Sequence, residues 1–465
     1  MTPMTSIHDV SIARRRLLQG AVALTTGLLI SGPATAASAS ARRFTSLGAQ
    51  TDSPFGADEG AVFVATNHNN TTAPDEPANQ VVMYARDVDG ELTMIDAFDT
   101  GGQGSGPSKR FAGDGLGSGN SVRLSDDLRW LFVTNAGSDT VSVFAVEKDG
   151  LALKDVVPTG DSSQGERFPN SVTQHGKLVY VLNSADEGSI TGFKLGKEGT
   201  LTPIEGSTRM LKANQTYAPD PLFNPAQIEF TPDGARLVVT IKDGPAEGIL
   251  PDVTPTGPGR VLVFSVGEDG TPSDDFVQTE LDNRGPFGFS FGPDDELLVA
   301  EFVGGEMEVI DGMEALTAAA GSYTIEKDGT LAPISAGVPN HQVDTCWLVN
   351  NGRYAYGSNY TSGTVSSYEI GKDGGLTLMK AVAGETDEVD NKQGSTPLDA
   401  RVTRDGRFLY IILGGAGKIA GWHIGDDGAL KKISEVEGLQ PTRDGDTTPF
   451  EFTALGGSPA GIEAI

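Results

Sequence analysis

Hydrophobic residues recur at every second position in short segments along most of the chain, and each segment ends at a turn-forming pair. The segment VSVFAVEKDGLAL, which begins at Val141, is an example: an alternating run is followed by Asp149-Gly150 and a second short run. A period of two residues is typical of a β-strand with one face against a core. Asp-Gly between two such runs indicates a hairpin, because glycine adopts the positive φ that a tight turn requires. The pattern therefore predicts a chain built from β-hairpins.

The hairpin pattern occurs seven times. Its copies begin at Val81, Val141, Ile190, Val261, Ser322, Val365 and Ile419, with turn glycines at Gly90, Gly150, Gly199, Gly270, Gly329, Gly374 and Gly428. A second pattern, an apolar strand, a turn and a β-rich strand, precedes six of the hairpins and begins at Asn120, Asn170, Ala226, Phe287, Asp344 and Leu398. The missing copy is divided between the chain ends, because AVFVATN from Ala61 supplies its second strand and SPAGIEAI from Ser458 its first.

Each repeat is thus a unit of four antiparallel strands, A to D, which cannot bury both of its faces alone. Radial stacking of such sheets around an axis buries them. The predicted fold is all-β: a seven-bladed β-propeller with four antiparallel strands per blade. It spans residues 58–465 and is closed by N- and C-terminal strands that share one blade.

The first 41 residues do not follow the repeat. Arg14, Arg15 and Arg16 precede Leu17-Leu18 and a mild apolar run, and small residues follow through Ala41. This order predicts a twin-arginine-type signal peptide over residues 1–41, removed after Ala36, Ala39 or Ala41. We therefore expect an exported protein in the periplasm, the cell wall or the medium. No other apolar segment reaches the length of a membrane span, so none is expected.

Charge and composition limit the partners, metals and cofactors that the protein is expected to bind. With 34 lysines and arginines against 63 aspartates and glutamates, the chain carries a net charge of −29, which disfavours nucleic acid. The single cysteine, Cys346, excludes a multi-cysteine metal site, and five histidines leave little for a histidine-rich one. We expect no metal, no cofactor and a monomer. Cys346 and Trp347 fall inside a predicted A strand, where burial is expected rather than catalysis.

The long insertions all fall on one face of the predicted propeller, where the B–C and D–A connections lie. They include the glycine-rich residues 101–119, whose GGQGSG is interpreted as a flexible loop, and the helix-like DGMEALTAAAG from Asp311. Long loops on a rigid scaffold commonly carry binding sites, so a site is predicted at this upper mouth of the central channel.

Starts of A strands and ends of B strands meet at that mouth. The predicted catalytic residues there are Glu301, His341 and Lys242, since a carboxylate, an imidazole and a cation around one cavity can activate water and stabilise an oxyanion. A structural ion network is an equally open interpretation. The predicted substrate-binding residues are His68, Asn120, Asn170, Gln227, Phe287, Asp344 and Asp399. For the asparagines, hydrogen bonding to loop backbone is the favoured interpretation.

The inner hairpins TPDGARLVV at Thr231 and TRDGRFLYI at Thr403, together with the VxVFxVxxDGxL hairpins, resemble the seven-bladed propeller lactonase family. That family includes propeller-type 6-phosphogluconolactonases and relatives of carboxymuconate-lactonizing enzymes. The resemblance implies hydrolysis or formation of a lactone, no cofactor, and a small-molecule lactone or carbohydrate-derived ligand. Asn170 and Gln227 stand where members often carry histidine. The alternative is a non-catalytic propeller that binds a glycan or protein through its long-loop face.

Overall fold

The strands observed in the structure follow the predicted repeat. The computed structural model describes residues 54–56, 58–71, 74–75, 77–106, 114–215, 219–243, 257–282, 284–310, 313–386, 395–441 and 458–465. Within these ranges the chain forms 31 β-strands and a short 3₁₀-helix, Ser162–Gln164. The predicted signal peptide lies outside the described residues, and so do parts of the long insertions.

In the described ranges the strands form seven antiparallel blades. From the axis outwards, the first contains β31 (Ala460–Ala464), β1 (Gly60–Ala65), β2 (Gln80–Arg86) and β3 (Leu92–Asp99). The second contains β4 (Val122–Leu124), β5 (Trp130–Asn135), β6 (Thr140–Glu147) and β7 (Gly150–Pro158). The third contains β8 (Pro169–His175), β9 (Leu178–Asn183), β10 (Ser189–Leu195) and β11 (Leu201–Pro203), with β12 (Arg209–Met210) also paired to β10.

The fourth blade contains β13 (Pro225–Phe230), β14 (Arg236–Ile241), β15 (Arg260–Ser265) and β16 (Val277–Glu280). The fifth contains β17 (Pro286–Phe291), β18 (Leu297–Glu301), β21 (Ala319–Ile325) and β22 (Leu331–Pro339), and a separate hairpin of β19 (Met307–Ile310) and β20 (Met313–Leu316) is inserted in it. The sixth contains β23 (Thr345–Asn350), β24 (Tyr354–Asn359), β25 (Thr364–Ile370) and β26 (Leu376–Glu385). The seventh contains β27 (Pro397–Val402), β28 (Phe408–Leu413), β29 (Lys418–Ile424) and β30 (Leu430–Glu437).

The inserted hairpin corrects one prediction. The stretch from Asp311 has the composition of a helix, but Met313–Leu316 pairs with Met307–Ile310 as an antiparallel ribbon. Ala319–Ile325 then serves as the third strand of the fifth blade. Tertiary pairing with β18 overrides the high helix propensity of the alanines.

Pairing of β31 with β1 joins the two ends of the chain. Phe63 lies opposite Glu463, and Val64 lies opposite Ile462. The predicted shared blade is confirmed. The innermost strands β4, β8, β13, β17, β23, β27 and β31 contact one another in this order, and β31 contacts β4. The blades therefore form a closed ring around a central channel.

The hydrophobic core lies between neighbouring blades. Between the sixth and seventh, for example, it contains Tyr356, Val365, Leu409, Ile411 and Trp422. Both faces of a blade are covered in this way, which explains why central strands such as β5 and β28 are buried at every position. No helix of the described ranges has the length and apolarity needed to cross a membrane.

Six of the seven predicted turn glycines have positive φ, for example Gly90 at 87° and Gly428 at 77°. Gly150 does not, because it pairs with Glu147 as the first residue of β7. The turns also fasten neighbouring blades. The hydroxyls of Tyr356 and Tyr410 donate to the carbonyls of Gly428 and Gly90, at 3.1 and 2.7 Å.

Candidate functional site

A cavity of about 40 Å³ opens where A strands start and B strands end, at the predicted end of the channel. Its lining residues are Asp114, Pro221, Leu222, Phe287, Phe302, Asp344, Cys346, Trp347 and Tyr360. A water-sized group needs about 10–15 Å³ of such space, so the cavity holds a ligand group of a few heavy atoms.

Bulges in two innermost strands turn side chains into the cavity. The register of β23 shifts between Thr345 and Trp347, and that of β17 shifts between Pro286 and Phe289. A bulge interrupts the strict alternation of faces. Cys346 and Trp347, although consecutive, therefore both line the cavity. They are buried as predicted, with exposures of 5% and 3%, but burial does not remove them from the site.

Asp344 stands at the entry of β23 with a φ of 67°, a left-handed conformation that aspartate tolerates better than most residues. Its Oδ1 accepts a hydrogen bond from the Cys346 thiol at 3.1 Å, and its Oδ2 accepts one from the Thr361 hydroxyl at 3.0 Å. Burial raises the pKa of Asp344. Burial and the neighbouring Asp344 carboxylate raise the pKa of the Cys346 thiol, so the sulfur is a neutral donor at neutral pH.

Asp114 is the second carboxylate of the cavity, and it is buried. The backbone N–H of Gly117 donates to its Oδ1 at 2.7 Å. Burial raises the pKa of Asp114 to about 6, against the opposing effects of Lys242 and the backbone N–H groups. The group is therefore mostly ionised at pH 7 and still basic enough to accept a proton.

Lys242 lies directly behind the cavity wall. Its side chain is fully buried, and its Nζ donates to the carbonyl of Gly117 at 2.6 Å. The same Nζ lies 3.9 Å from the centroid of the Phe287 ring, a cation–π contact. Desolvation lowers the pKa of Lys242 to about 8, although Asp114, Asp344 and other nearby groups oppose this.

Aromatic rings form much of the remaining wall. The centroids of Phe287 and Trp347 are 4.9 Å apart, and those of Phe287 and Phe302 are 6.3 Å apart at an interplanar angle of 88°. The indole N–H of Trp347 donates to the carbonyl of Ser118 at 3.1 Å, which fixes the orientation of the ring.

Three predicted substrate-binding residues line a smaller space on the other side of Trp347: Asn120, Gln227 and Asp399. Asp399 accepts from the backbone N–H of Asn120 at 3.2 Å, and Arg401 donates to the amide oxygen of Asn120 at 2.7 Å. Burial raises the pKa of Asp399 to about 7. Gln227 bridges blades through the backbone of Phe289. These contacts connect the innermost strands within the channel.

Glu301 is fully buried at the end of β18, but it does not line the cavity. Its carboxylate accepts from the Tyr323 hydroxyl at 2.5 Å and from Arg284 at 3.4 Å. Burial raises its pKa to about 7. The next residue, Phe302, does line the cavity, and consecutive side chains of a strand point to opposite faces.

The other predicted residues are also placed away from the cavity lining. His341 is exposed, and its Nδ1 contacts Glu308 of the inserted hairpin at 2.8 Å. His68 is buried after β1, where its carbonyl accepts from Gly104. Asn170 donates to the carbonyl of Pro225 at 2.8 Å, in agreement with its interpretation as a backbone-bonding amide. The structure thus brings Lys242, Phe287 and Asp344 together, without Glu301 or His341.

Asp114, Cys346 and Tyr360 complete the site without having been predicted as parts of it. Asp114 lies in the glycine-rich insertion, where no periodicity indicates a direction. The sequence does contain one indication of the Asp344–Cys346 contact, since the two residues are only two positions apart. Among the described residues, no group of three or more histidine, cysteine or carboxylate side chains is arranged to hold a metal ion.

The chain matches the family described as "Lactonase, 7-bladed beta-propeller" over residues 73–213, 121–302 and 309–445. None of the curated proteins compared with the chain matches it.

Solved structures share the fold at low identity. A Bacteroides fragilis protein provisionally described as a 6-phosphogluconolactonase is 16% identical with a TM-score of 0.58, over 90% of this chain and 99% of that one. The periplasmic gluconolactonase of Pseudomonas aeruginosa is 14% identical with a TM-score of 0.59, over 88% and 99%. A protein from Lactobacillus plantarum is 14% identical with a TM-score of 0.60, again over 88% and 99%. At these identities the likeness shows the fold alone.

Proposed function

The chain belongs to the family of seven-bladed β-propeller lactonases, and from this premise we propose that it hydrolyses a small-molecule lactone in the cavity between Asp114 and Asp344. The observation that carries the proposal is the meeting of the buried Asp114 carboxylate and the half-buried Asp344 carboxylate at one opening, with the buried ammonium of Lys242 behind its wall. A general base and a nearby positive charge are the elements that water-mediated ester cleavage requires.

Asp114 is the proposed base. It takes a proton from water while the water oxygen forms a bond to the lactone carbonyl carbon. The ring C–O bond of the resulting tetrahedral adduct then breaks, and the proton on Asp114 passes to the departing alkoxide. The product is the open-chain hydroxy acid. Asp344 accepts hydrogen bonds from Cys346 and Thr361, and its proposed role is to position the lactone ring.

Lys242 is the proposed source of positive charge for the oxyanion. Its ammonium is shielded from solvent and lies 3.9 Å from the centroid of the Phe287 ring, which lines the cavity. Electrostatic stabilisation is stronger in such a water-excluded setting than in bulk water.

The test is a screen of γ- and δ-lactones in which hydrolysis is measured by the acid that it releases, with a pH indicator. Asp114→Asn is expected to lower kcat by about 100-fold or more, the usual contribution of a general base. His341→Gln is the matched control, because the His341 side chain is exposed and its Nδ1 contacts Glu308 of the inserted hairpin rather than the cavity lining. Absence of turnover on every lactone, or equal turnover by wild type and Asp114→Asn, would contradict the proposal.

Export through the twin-arginine route is part of the proposal. It rests on Arg14-Arg15, the apolar run that follows, and the small residues through Ala41. The likeness to a periplasmic gluconolactonase is compatible with it. Replacement of Arg14 and Arg15 by lysine is expected to retain the protein in the cytoplasm at its precursor mass, measured by fractionation and mass spectrometry. Unchanged export of that variant would contradict the route.

A further inference from the structure

The charges of the cavity lining favour a cationic ligand. Its described lining contains the carboxylates of Asp114 and Asp344 and no lysine, arginine or histidine. Lys242, behind the wall, offsets one of these two negative charges. The described site therefore keeps a net negative charge when both carboxylates are ionised, and it attracts cations rather than anions.

Aromatic rings are a second feature of the lining that favours a cation. Phe287, Phe302, Trp347 and Tyr360 all line the cavity. Faces of aromatic rings attract ammonium groups, and rings combined with carboxylates are a known way to bind alkylated ammonium ions. The structure contains one example in place, because the ammonium of Lys242 already lies 3.9 Å from the centre of the Phe287 ring.

The size of the space fits a head group rather than a large ligand. A volume of about 40 Å³ admits a group of a few heavy atoms. A phosphate of similar size would meet two carboxylates and no described cation in the lining.

We propose that this cavity binds an organic ammonium group, so that the preferred lactone carries a protonated or quaternary amine next to the ring. The inference concerning the lactone rests on the proposed function, whereas the cation site itself does not. In this arrangement the ammonium lies among the rings beside Asp344, and the ester faces Asp114.

Binding is tested by titration calorimetry on the intact protein. Choline is compared with 3,3-dimethylbutan-1-ol, which has the same shape without the charge, and with inorganic phosphate. Choline is expected to bind at least tenfold more tightly than the alcohol, and phosphate is expected not to bind. Equal binding of choline and the alcohol would overturn the proposal, because it would show an apolar pocket only.

Two variants locate the site. Asp344→Asn keeps the shape and tolerates the left-handed backbone, and it is expected to weaken choline binding several-fold. Lys242→Met removes the competing charge and is expected to tighten it. His341→Gln is the control and is expected to bind choline as wild type does. If neither Asp344→Asn nor Lys242→Met changes choline binding, the cation binds elsewhere and the assignment is overturned.

Phosphate is the informative competitor, because the sequence carries Lys109 and Arg110 shortly before Asp114. Phosphate binding that is lost when both are replaced by alanine would identify an anion site and overturn the proposal.

Catalysis provides a separate measurement. At a pH at which its amine is protonated, α-amino-γ-butyrolactone is expected to have a kcat/KM at least tenfold above that of α-hydroxy-γ-butyrolactone. Opening of both lactones at equal rates without choline binding would overturn the cation site and leave the hydrolase. Choline binding with no lactone opened would overturn the hydrolase and leave the cation site.

Discussion

At the scale of single residues, burial determines the chemistry of the acidic groups. Asp114, Glu301 and Asp399 are buried, and burial raises their pKa values to about 6, 7 and 7. Desolvation disfavours the charged form of a carboxyl group, so all three titrate near neutral pH. Their positions then separate their roles: Asp114 faces the cavity, Asp399 the channel and Glu301 the interior of the fifth blade.

The pH dependence of activity follows from two buried groups, Asp114 and Lys242. Asp114 must be ionised to act as a base, so kcat/KM is expected to fall below pH 6, the pKa to which burial raises it. Lys242 must be protonated, so kcat/KM is expected to fall again above pH 8. A rate profile from pH 4 to 10 measures both limbs.

Lys242→Met provides the check on this assignment. Without the ammonium that lowers the pKa of Asp114, the acidic limb is expected to move to higher pH, and the alkaline limb to disappear. A profile in which both limbs stay in place would exclude these two residues as their source.

Glu301 is expected to affect stability rather than catalysis. Burial raises the pKa of Glu301 from 4.5 to about 7. As pH rises, the carboxyl group therefore ionises at a lower pH in the unfolded chain than in the folded one. The free energy of unfolding therefore decreases between those pH values. In Glu301→Gln this contribution is absent, and urea unfolding at pH 5 and pH 8 is expected to show a smaller decrease than in wild type. Glu369→Gln, on an exposed position of β25, is the control and should reproduce the wild-type decrease.

At the scale of strands and turns, each hairpin turn is built against the neighbouring blade. A side chain on Gly428 would meet the ring of Tyr354 at 2.6 Å, and Tyr356 donates to the Gly428 carbonyl. Two structural features thus require glycine at this turn position: a positive φ and the close approach of another strand. Only the first of them is visible in one hairpin taken alone.

Replacement of two glycines by alanine separates these requirements. Gly428→Ala combines a φ of 77° with the contact to Tyr354, whereas Gly176→Ala has a φ of 57° and open space around the new methyl group. The backbone effect alone is about 1 kcal/mol, and overpacking adds about 1–3 kcal/mol. Gly428→Ala is therefore expected to lower the free energy of unfolding by clearly more than Gly176→Ala. Equal effects would show that packing against Tyr354 is unimportant.

At the scale of the whole molecule, closure of the ring depends on the last strand. β31 pairs with β1, and its Glu463 accepts ion pairs from Arg123 at 3.1 Å and Arg401 at 3.0 Å. These residues come from the first, second and seventh blades. The two ends of the chain are thereby connected to both neighbouring blades inside the channel.

Glu463→Gln tests the contribution of this closure. The change leaves two mostly buried guanidinium groups without a shared carboxylate, and the free energy of unfolding is expected to fall by about 2 kcal/mol or more. Lys148→Ala breaks the exposed pair with Glu59 and is the control, with an expected effect near zero. Denaturant unfolding of both variants gives the comparison. A loss no larger than that of the control would show that backbone pairing alone closes the ring.

The sequence by itself determined the repeat, the number of blades and the shared terminal blade. These follow from local physics: alternation of apolar residues defines strands, Asp-Gly and Glu-Gly define turns, and a sheet with two apolar faces must be covered on both. The same reasoning placed Lys242, Phe287 and Asp344 at the mouth of the channel; in the structure Phe287 and Asp344 line the cavity, and Lys242 contacts the Phe287 ring.

Only the tertiary structure decided which side chains meet. Whether Glu301 or Phe302 enters the cavity depends on the direction of one side chain at a strand end. Bulges decide that Cys346 and Trp347 both do so. Asp114 reaches the site from a loop without periodicity. His341 is exposed and contacts Glu308 of the inserted hairpin instead of lining the cavity. Such directions are set by contacts between residues far apart in the chain, and no local pattern encodes them.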